Sequence, residues 1–566
     1  VHDKSPEPLT ELELIKFTFN RRAAKTKLKL LRRLADTSLE SADELSHLHT
    51  LLCFMRAYPD DRSVLDQVKR MLAGFADRED LRRNREELAN SGIAGTDVEY
   101  PFFWFTLGWL ADRWPDRLRI DWDAIGKRRA LLDRRLPMLM PYCETLALEE
   151  ATMTTREWID CLKGANETDA GFLVRRFRAL RADKRQRESI FEELDIPFRL
   201  TAGPDTPTTT RNCFERSRVA YQTRPFSRSR RDFKKELQRP PSAVRSLPPR
   251  EARKVIEMAR TMMVVRSRDL DCFVHADEND VRMLDYEGGL QFACLGTTPE
   301  RRQMIDAAYG YLTLKNGAPI GYVLTAALFG SAEVAFNVSP PFRGAEATPL
   351  YARVLGAVRH LFAADTFVVD PYQMGHDNPE GLKSGAWWFY YKLGFRPRDP
   401  TVSRMARSEI EKIKADRRYR TSLAKLNRLS AVNMYLYLDR PRDGVIGVFA
   451  RENAGLWITR YLAERFGADR ERGLATCSRE AARLLGVRSM AGFSPGERLA
   501  WRRWAPLAML LPGVASWPAA DRAAMARVIR AKGGRRETDF VKLFDRHGRL
   551  RRALLELAEQ PPALPV

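Results

Sequence analysis

The sequence predicts an α/β protein of the α+β type, with a mixed-sheet domain flanked by two mainly α-helical regions. Three observations predict it. Residues 250–400 alternate short β-type runs with helical periodicity, whereas 9–202 and 401–566 are dominated by apolar residues at helical spacing. Asn316-Gly317, between the runs Tyr309–Leu314 and Ile320–Phe329, is the dipeptide that a two-residue hairpin turn demands. Val334–Val338, a glycine-containing loop, an apolar-periodic helix from 349 to 362 and Thr366–Asp370 then follow as strand, loop, helix and strand.

Composition narrows the classes. A chain of 566 residues exceeds one ordinary core, and roughly two to four domains are expected. With 44 % hydrophobic and 30 % charged residues it is a soluble globular mixture. No run approaches the roughly 18 uncharged apolar residues of a membrane span. Val1 to Ser5 lacks the apolar core of a signal peptide, so the expected location is cytoplasmic. Seven cysteines without a C-x-x-C pair argue against a disulfide framework, and the absence of H-E-x-x-H leaves no metal expected. The net charge of +22 favours anionic partners: nucleic acid, a membrane surface or a phosphate-bearing cofactor.

In order, residues 1–202 read as a helical N-terminal region. Ser41-Ala-Asp-Glu44 is a capping-box pattern ahead of an apolar helix through Phe54. Residues 203–249 read as a basic, proline-rich linker, in which Arg224, Arg228, Arg230, Arg231, Lys234, Lys235 and Arg239 interleave with Phe226 and Phe233. Such a segment suits either a nucleic-acid arm or a linker lying on the domain surface. In 250–400, Arg250–Arg266 reads as a helix, Cys272–Val274 and Leu290–Leu295 as short strands, and His275–Asp280 as a solvated polar loop. Asn378-Pro379-Glu380 supplies a cap, a first-turn proline and a first-turn acid, so a helix begins there. Residues 401–566 read as a helical C-terminal region without a catalytic motif.

Two local motifs carry the chemistry. Val338-Ser-Pro-Pro-Phe-Arg-Gly344 precedes a helix N-terminus, where outward N–H groups and the dipole favour a pyrophosphate. Ala386-Trp-Trp-Phe-Tyr-Tyr-Lys-Leu-Gly-Phe395 is an aromatic helix ending in Gly-Phe. Together with the hairpin, these motifs resemble the GNAT acetyltransferase superfamily over roughly 150 residues. Val338, Pro340, Phe342, Arg343 and Gly344 match its V-x-P-x-[YF]-R-G loop. The resemblance implies acyl transfer, of an acetyl or longer group, from a CoA-type thioester such as acetyl-CoA to an amine on a small molecule or protein. Val338, Ser339, Arg343, Gly344, Ala345, Glu346, Ala347 and Thr348 would hold the donor, and Tyr390 would protonate the departing thiolate. Glu346 stands where the family has a glycine, Thr348 replaces a small residue and Lys383 replaces an asparagine. Glu346 must then point away from a bound pyrophosphate or pair with Arg343. The general base stays open among Glu333, Asp370, His376 and Asp377. Two alternatives are a donor on an acyl-carrier protein and a degenerate interaction module whose basic surfaces bind nucleic acid.

Overall fold

Residue chemistry sets the central hairpin. Strands β7 (Ala307–Lys315) and β8 (Ala318–Leu328) pair antiparallel with Lys315 opposite Ala318. Asn316 and Gly317 sit at φ of +49° and +82°, the left-handed values that a type I′ turn needs at both central positions. The computed structural model that contains this hairpin describes residues 7–150, 152–214, 218–226, 233–344 and 346–563.

The N-terminal region supplies helices α1 (Ala42–Ala57) and α2 (Arg62–Ala73). The expected capping box is present: Ser41 accepts from the Glu44 amide while the Glu44 side chain accepts from the Ser41 amide. Farther along, β1 (Val98–Tyr100), β2 (Leu118–Ile120) and β3 (Phe198–Leu200) form a separate antiparallel sheet in the order β1-β3-β2. A region read as helical from its apolar spacing therefore contains a small sheet. Its strands are three residues each, too short to show an alternating pattern.

The main sheet has nine strands. After β4 (Ala243–Ser246) come helices α3 (Pro249–Val264) and α4 (Asp271–Val274), then β5 (Ala276–Asp285) and β6 (Leu290–Thr297). Beyond the hairpin lie β9 (Ser331–Val338), α5 (Ala347–Phe362), β10 (Thr366–Val369), α6 (Pro371–Met374), α7 (Pro379–Ser384), α8 (Ala386–Leu393), β11 (Arg396–Pro397) and β12 (Met434–Tyr437). The strand order is β11-β12-β10-β9-β8-β7-β6-β5-β4. Every pairing is antiparallel except β9 with β10, which is parallel. Helix α5 is the crossover that a parallel pair requires.

Several expectations are corrected here. Cys272–Val274 forms helix α4 rather than a strand, since three apolar residues carry no period of their own. His275 is buried, and Ala276–Asp280 begins strand β5, so this stretch is not a solvated loop. The segment read as linker contributes edge strand β4, and the region after residue 400 contributes β12 inside the sheet. Part of the basic stretch, residues 227–232, lies outside the described residues.

Packing binds these regions together. One apolar core runs from Leu9 through the inner face of α5 to Ala558. It includes Tyr351, Leu355 and Val358 of α5 at 0 % exposure, and truncating such a leucine to alanine costs about 2–5 kcal/mol. Residues 98–200 form a second core, joined by Val264 of α3, and α3 covers the other face of the sheet with Val255, Ala259 and Met262. Helix α9 (Arg451–Phe466), α10 (Ala519–Lys532) and α11 (Glu537–Arg546) close the C-terminal side. No helix among the described residues is long and apolar enough to cross a membrane.

Candidate functional site

The site lies where β9 and β10 part. They pair only over Ser331–Glu333 with Thr366–Val368. From Val334 to Val338, β9 stays bonded to β8 on one side and has no strand partner on the other among the described residues. A strand edge without a strand partner among the described residues thus runs toward the loop that leads into α5.

Strand alternation sorts the side chains. Phe336 points to the α5 side, its ring 5.3 Å from that of Tyr351. Glu333, Ala335 and Asn337 point to the opposite side, where Arg266 Nη2 donates to Asn337 Oδ1 at 3.1 Å and Arg266 Nη1 to Ser339 Oγ at 2.5 Å. Tyr390 of α8 is on the α5 side, with its ring 5.6 Å from Tyr351 and 5.8 Å from Phe395. Tyr390 and Glu333 therefore approach the sheet from opposite faces.

Charge links the two. Burial pushes the Tyr390 phenol above its ordinary value, and the Asp370 carboxylate adds to the rise. Burial also raises Glu333, with Asp370 again adding and Arg451 opposing. Asp370 caps α6, accepting from the Gln373 amide at 3.1 Å, and its own carboxyl is raised by burial. Arg451 Nη1 bonds Asp306 Oδ2 at 2.6 Å, so the C-terminal region brings an ion pair to the Glu333 side. His376 stands apart in the turn between α6 and α7. Its Nε2 is 3.8 Å from Asp377 Oδ2, and it makes no hydrogen bond with Tyr390 or Glu333.

The loop after β9 has a mixed character. Ser339 is buried and its amide donates to the Ile320 carbonyl, while Arg343 Nε donates to the Val338 carbonyl at 3.2 Å. Gly344 has φ +85°, and a Cβ there would meet nothing within 4 Å, so the backbone is open to close approach. Ala347 is exposed and Thr348 half-buried in the first turn of α5. Ala345 lies outside the described residues. Glu346 does not pair with Arg343. Lys315 Nζ, at the end of the hairpin, donates to Glu346 Oε2 at 3.1 Å, and Arg343 Nη1 instead meets Glu380 Oε1 at 2.5 Å. Lys315 is favoured because it is nearly buried, stacks over the Tyr58 ring at 4.8 Å and needs a counter-charge.

Sequence reasoning missed Lys315, Glu380, Arg266 and Arg451. All four reach the site from other elements; in the sequence Glu380 reads only as a first-turn acid and the other three carry no local mark. A cavity of about 990 Å³ opens over Ala276–Asn279 of β5. Three strands separate β5 from β9, so it lies about 19 Å from Glu333 at the usual strand spacing. Among the described residues no group of three or more histidines, cysteines and carboxylates could hold a metal ion. Comparison of the chain with protein-family models, curated proteins and solved structures gives no match.

Proposed function

We propose that the chain is an N-acyltransferase of the GNAT type, moving an acetyl or longer acyl group from a CoA-type thioester to an amine. The observation that carries this reading is the parting of β9 from β10 beside the N-terminus of α5. The edge from Val334 to Phe336, which has no strand partner on that side among the described residues, offers N–H and C=O groups to an amide-bearing pantetheine arm. The first turn of α5 and the open backbone at Gly344 suit its pyrophosphate. Glu346, the residue least suited to that role, has its charge answered by Lys315.

Each group has a place in the transfer. The amine loses a proton to Glu333, whose raised carboxyl makes it a stronger base than an ordinary glutamate. Its nitrogen bonds to the thioester carbon and the C–S bond breaks. Tyr390, held protonated through neutral pH by burial, gives its proton to the leaving thiolate. Calorimetric titration with acetyl-CoA, free CoA and longer acyl-CoAs tests the donor site, and absence of binding to all of them overturns the reading. Tyr390→Phe should lower the transfer rate and leave donor affinity unchanged. Unchanged turnover removes Tyr390 from the acid role.

A second reading, a degenerate module that binds nucleic acid, is favoured by one observation. The cation of the loop, Arg343, is already engaged by Glu380. Salt-dependent retention on nucleic acid with no thermal shift from acetyl-CoA decides for it. If only acylated carrier protein serves as donor, the acyltransfer chemistry stands and the donor changes.

A further inference from the structure

A second cavity, of about 500 Å³, lies between the N-terminal helices and the tip of the β7–β8 hairpin. Its size is that of a small-molecule site. Three cations line it: Arg56 of α1, Lys69 of α2 and Arg211 of the segment after β3. Among the described residues no aspartate or glutamate lines it.

The state of these cations is unusual. Arg56 is only 7 % exposed, and its guanidinium donates to two neutral acceptors, Nη1 to the Thr210 carbonyl at 2.5 Å and Nη2 to the Thr209 carbonyl at 3.0 Å. Its Nε is buried and has no hydrogen-bond partner among the described residues. Arg211 Nη2 likewise donates to carbonyls, those of Gly203 and Thr206. Lys69 makes no hydrogen bond or ion pair with a described residue. A buried cation without a counter-ion is costly, and an anion entering the cavity would offset that cost. Leu65, Leu72 and Phe214 add apolar lining, the two leucines on the same face of α2 as Lys69.

We propose that this cavity binds a small molecule that joins a phosphate group to an apolar or aromatic body, of the nucleoside phosphate class. The phosphate lies among Arg56, Lys69 and Arg211, and the body lies against Leu65, Leu72 and Phe214. The site is separate from the parting of β9 and β10 and does not depend on acyl transfer.

Cys213 also lines the cavity and gives a local readout that is blind to the loop after β9. The full chain is alkylated with and without ADP, and modification of Cys213 is followed by peptide mass spectrometry. ADP should slow its modification at least tenfold at low salt, and adenosine at the same concentration should not. In the Lys69→Glu/Arg211→Glu variant, whose altered side chains are exposed, the protection should be lost. Unchanged Cys213 reactivity with ADP in the wild-type chain overturns the proposal, as does equal protection by adenosine. If the double variant fails to fold, the wild-type comparison of ADP with adenosine still decides. Failure here leaves the acetyl-CoA titration untouched, and the reverse holds too.

Discussion

Replacing Lys315 by methionine should weaken binding of CoA, and the size of the effect follows from its ion pair with Glu346. The two charges are 3.1 Å apart, with side chains 7 % and 29 % exposed. Their attraction is about 5 kcal/mol at an effective dielectric near 20 and about 1 kcal/mol in bulk water. Because Glu346 is partly solvated, the lower part of that range applies, about 1–2 kcal/mol, or a factor of about 5–30 in affinity. Methionine keeps the apolar stem that packs beside Tyr58 while removing the charge. The freed carboxylate at the start of α5 should then repel the pyrophosphate. Calorimetry with CoA on Lys315→Met, Glu346→Gln and the double variant forms a cycle. Lys315→Met should bind about 5–30 times more weakly, Glu346→Gln should bind no worse than wild type, and the double variant should regain most of the loss. If Lys315→Met is folded and binds CoA like the wild type, the charge of Glu346 is not felt by the donor. The start of α5 is then not the pyrophosphate site.

Three further outcomes follow from buried charge. Glu333→Gln should lower kcat/KM by about 10²–10⁴; because a base must be deprotonated and the Glu333 carboxyl is raised, the wild-type rate should climb with pH through a limb above the ordinary glutamate range, and a pH–rate profile of the variant should lack it. Asp545, pushed up to about 6 by burial, accepts from the Gly330 amide at 3.0 Å; its contribution is fully present below the unfolded value near 4 and lost as pH rises through 6, so Asp545→Asn should flatten the fall in stability over that window, worth roughly 3 kcal/mol, in urea titrations at a series of pH values. Lys532 and Glu537 form an ion pair at 4 % and 0 % exposure between the C-terminal helices and the sheet; Lys532→Met should cost about 3–5 kcal/mol in denaturant unfolding, and adding Glu537→Gln should return most of it.

Legibility in the sequence tracked the range of each interaction. The turn at Asn316-Gly317, the capping box of Ser41 and the helix start at Asn378 are set by chemistry within four residues, and each stands in the structure as read. The Lys315–Glu346 pair spans 31 residues of chain and joins a hairpin to a helix start, so Arg343, near in sequence, was the wrong partner to expect. Strand β12, Met434–Tyr437, is four residues in a helical neighbourhood; it is a strand because β10 and β11 offer free edges, a condition invisible along the chain. Edge strand β4 is exposed at all four positions and gave no apolar signal.

The same long-range contacts explain why an α/β unit carries two large helical flanks. The N-terminal region supports the ion pair at one end of the candidate site: Tyr58 backs Lys315, which pairs with Glu346 at the start of α5. The C-terminal region acts at the other end, where Arg451, held by Asp306, tempers the rise in Glu333. Strand β12 comes from beyond residue 400 and holds β10 in place against β9, so the point at which those two strands part depends on the C-terminal region as well. A shortened chain ending near residue 400 would lose the partner that positions β10, and one beginning near residue 250 would leave the apolar face of α5 and the Lys315 charge uncovered. The flanks therefore act on the site through packing and charge.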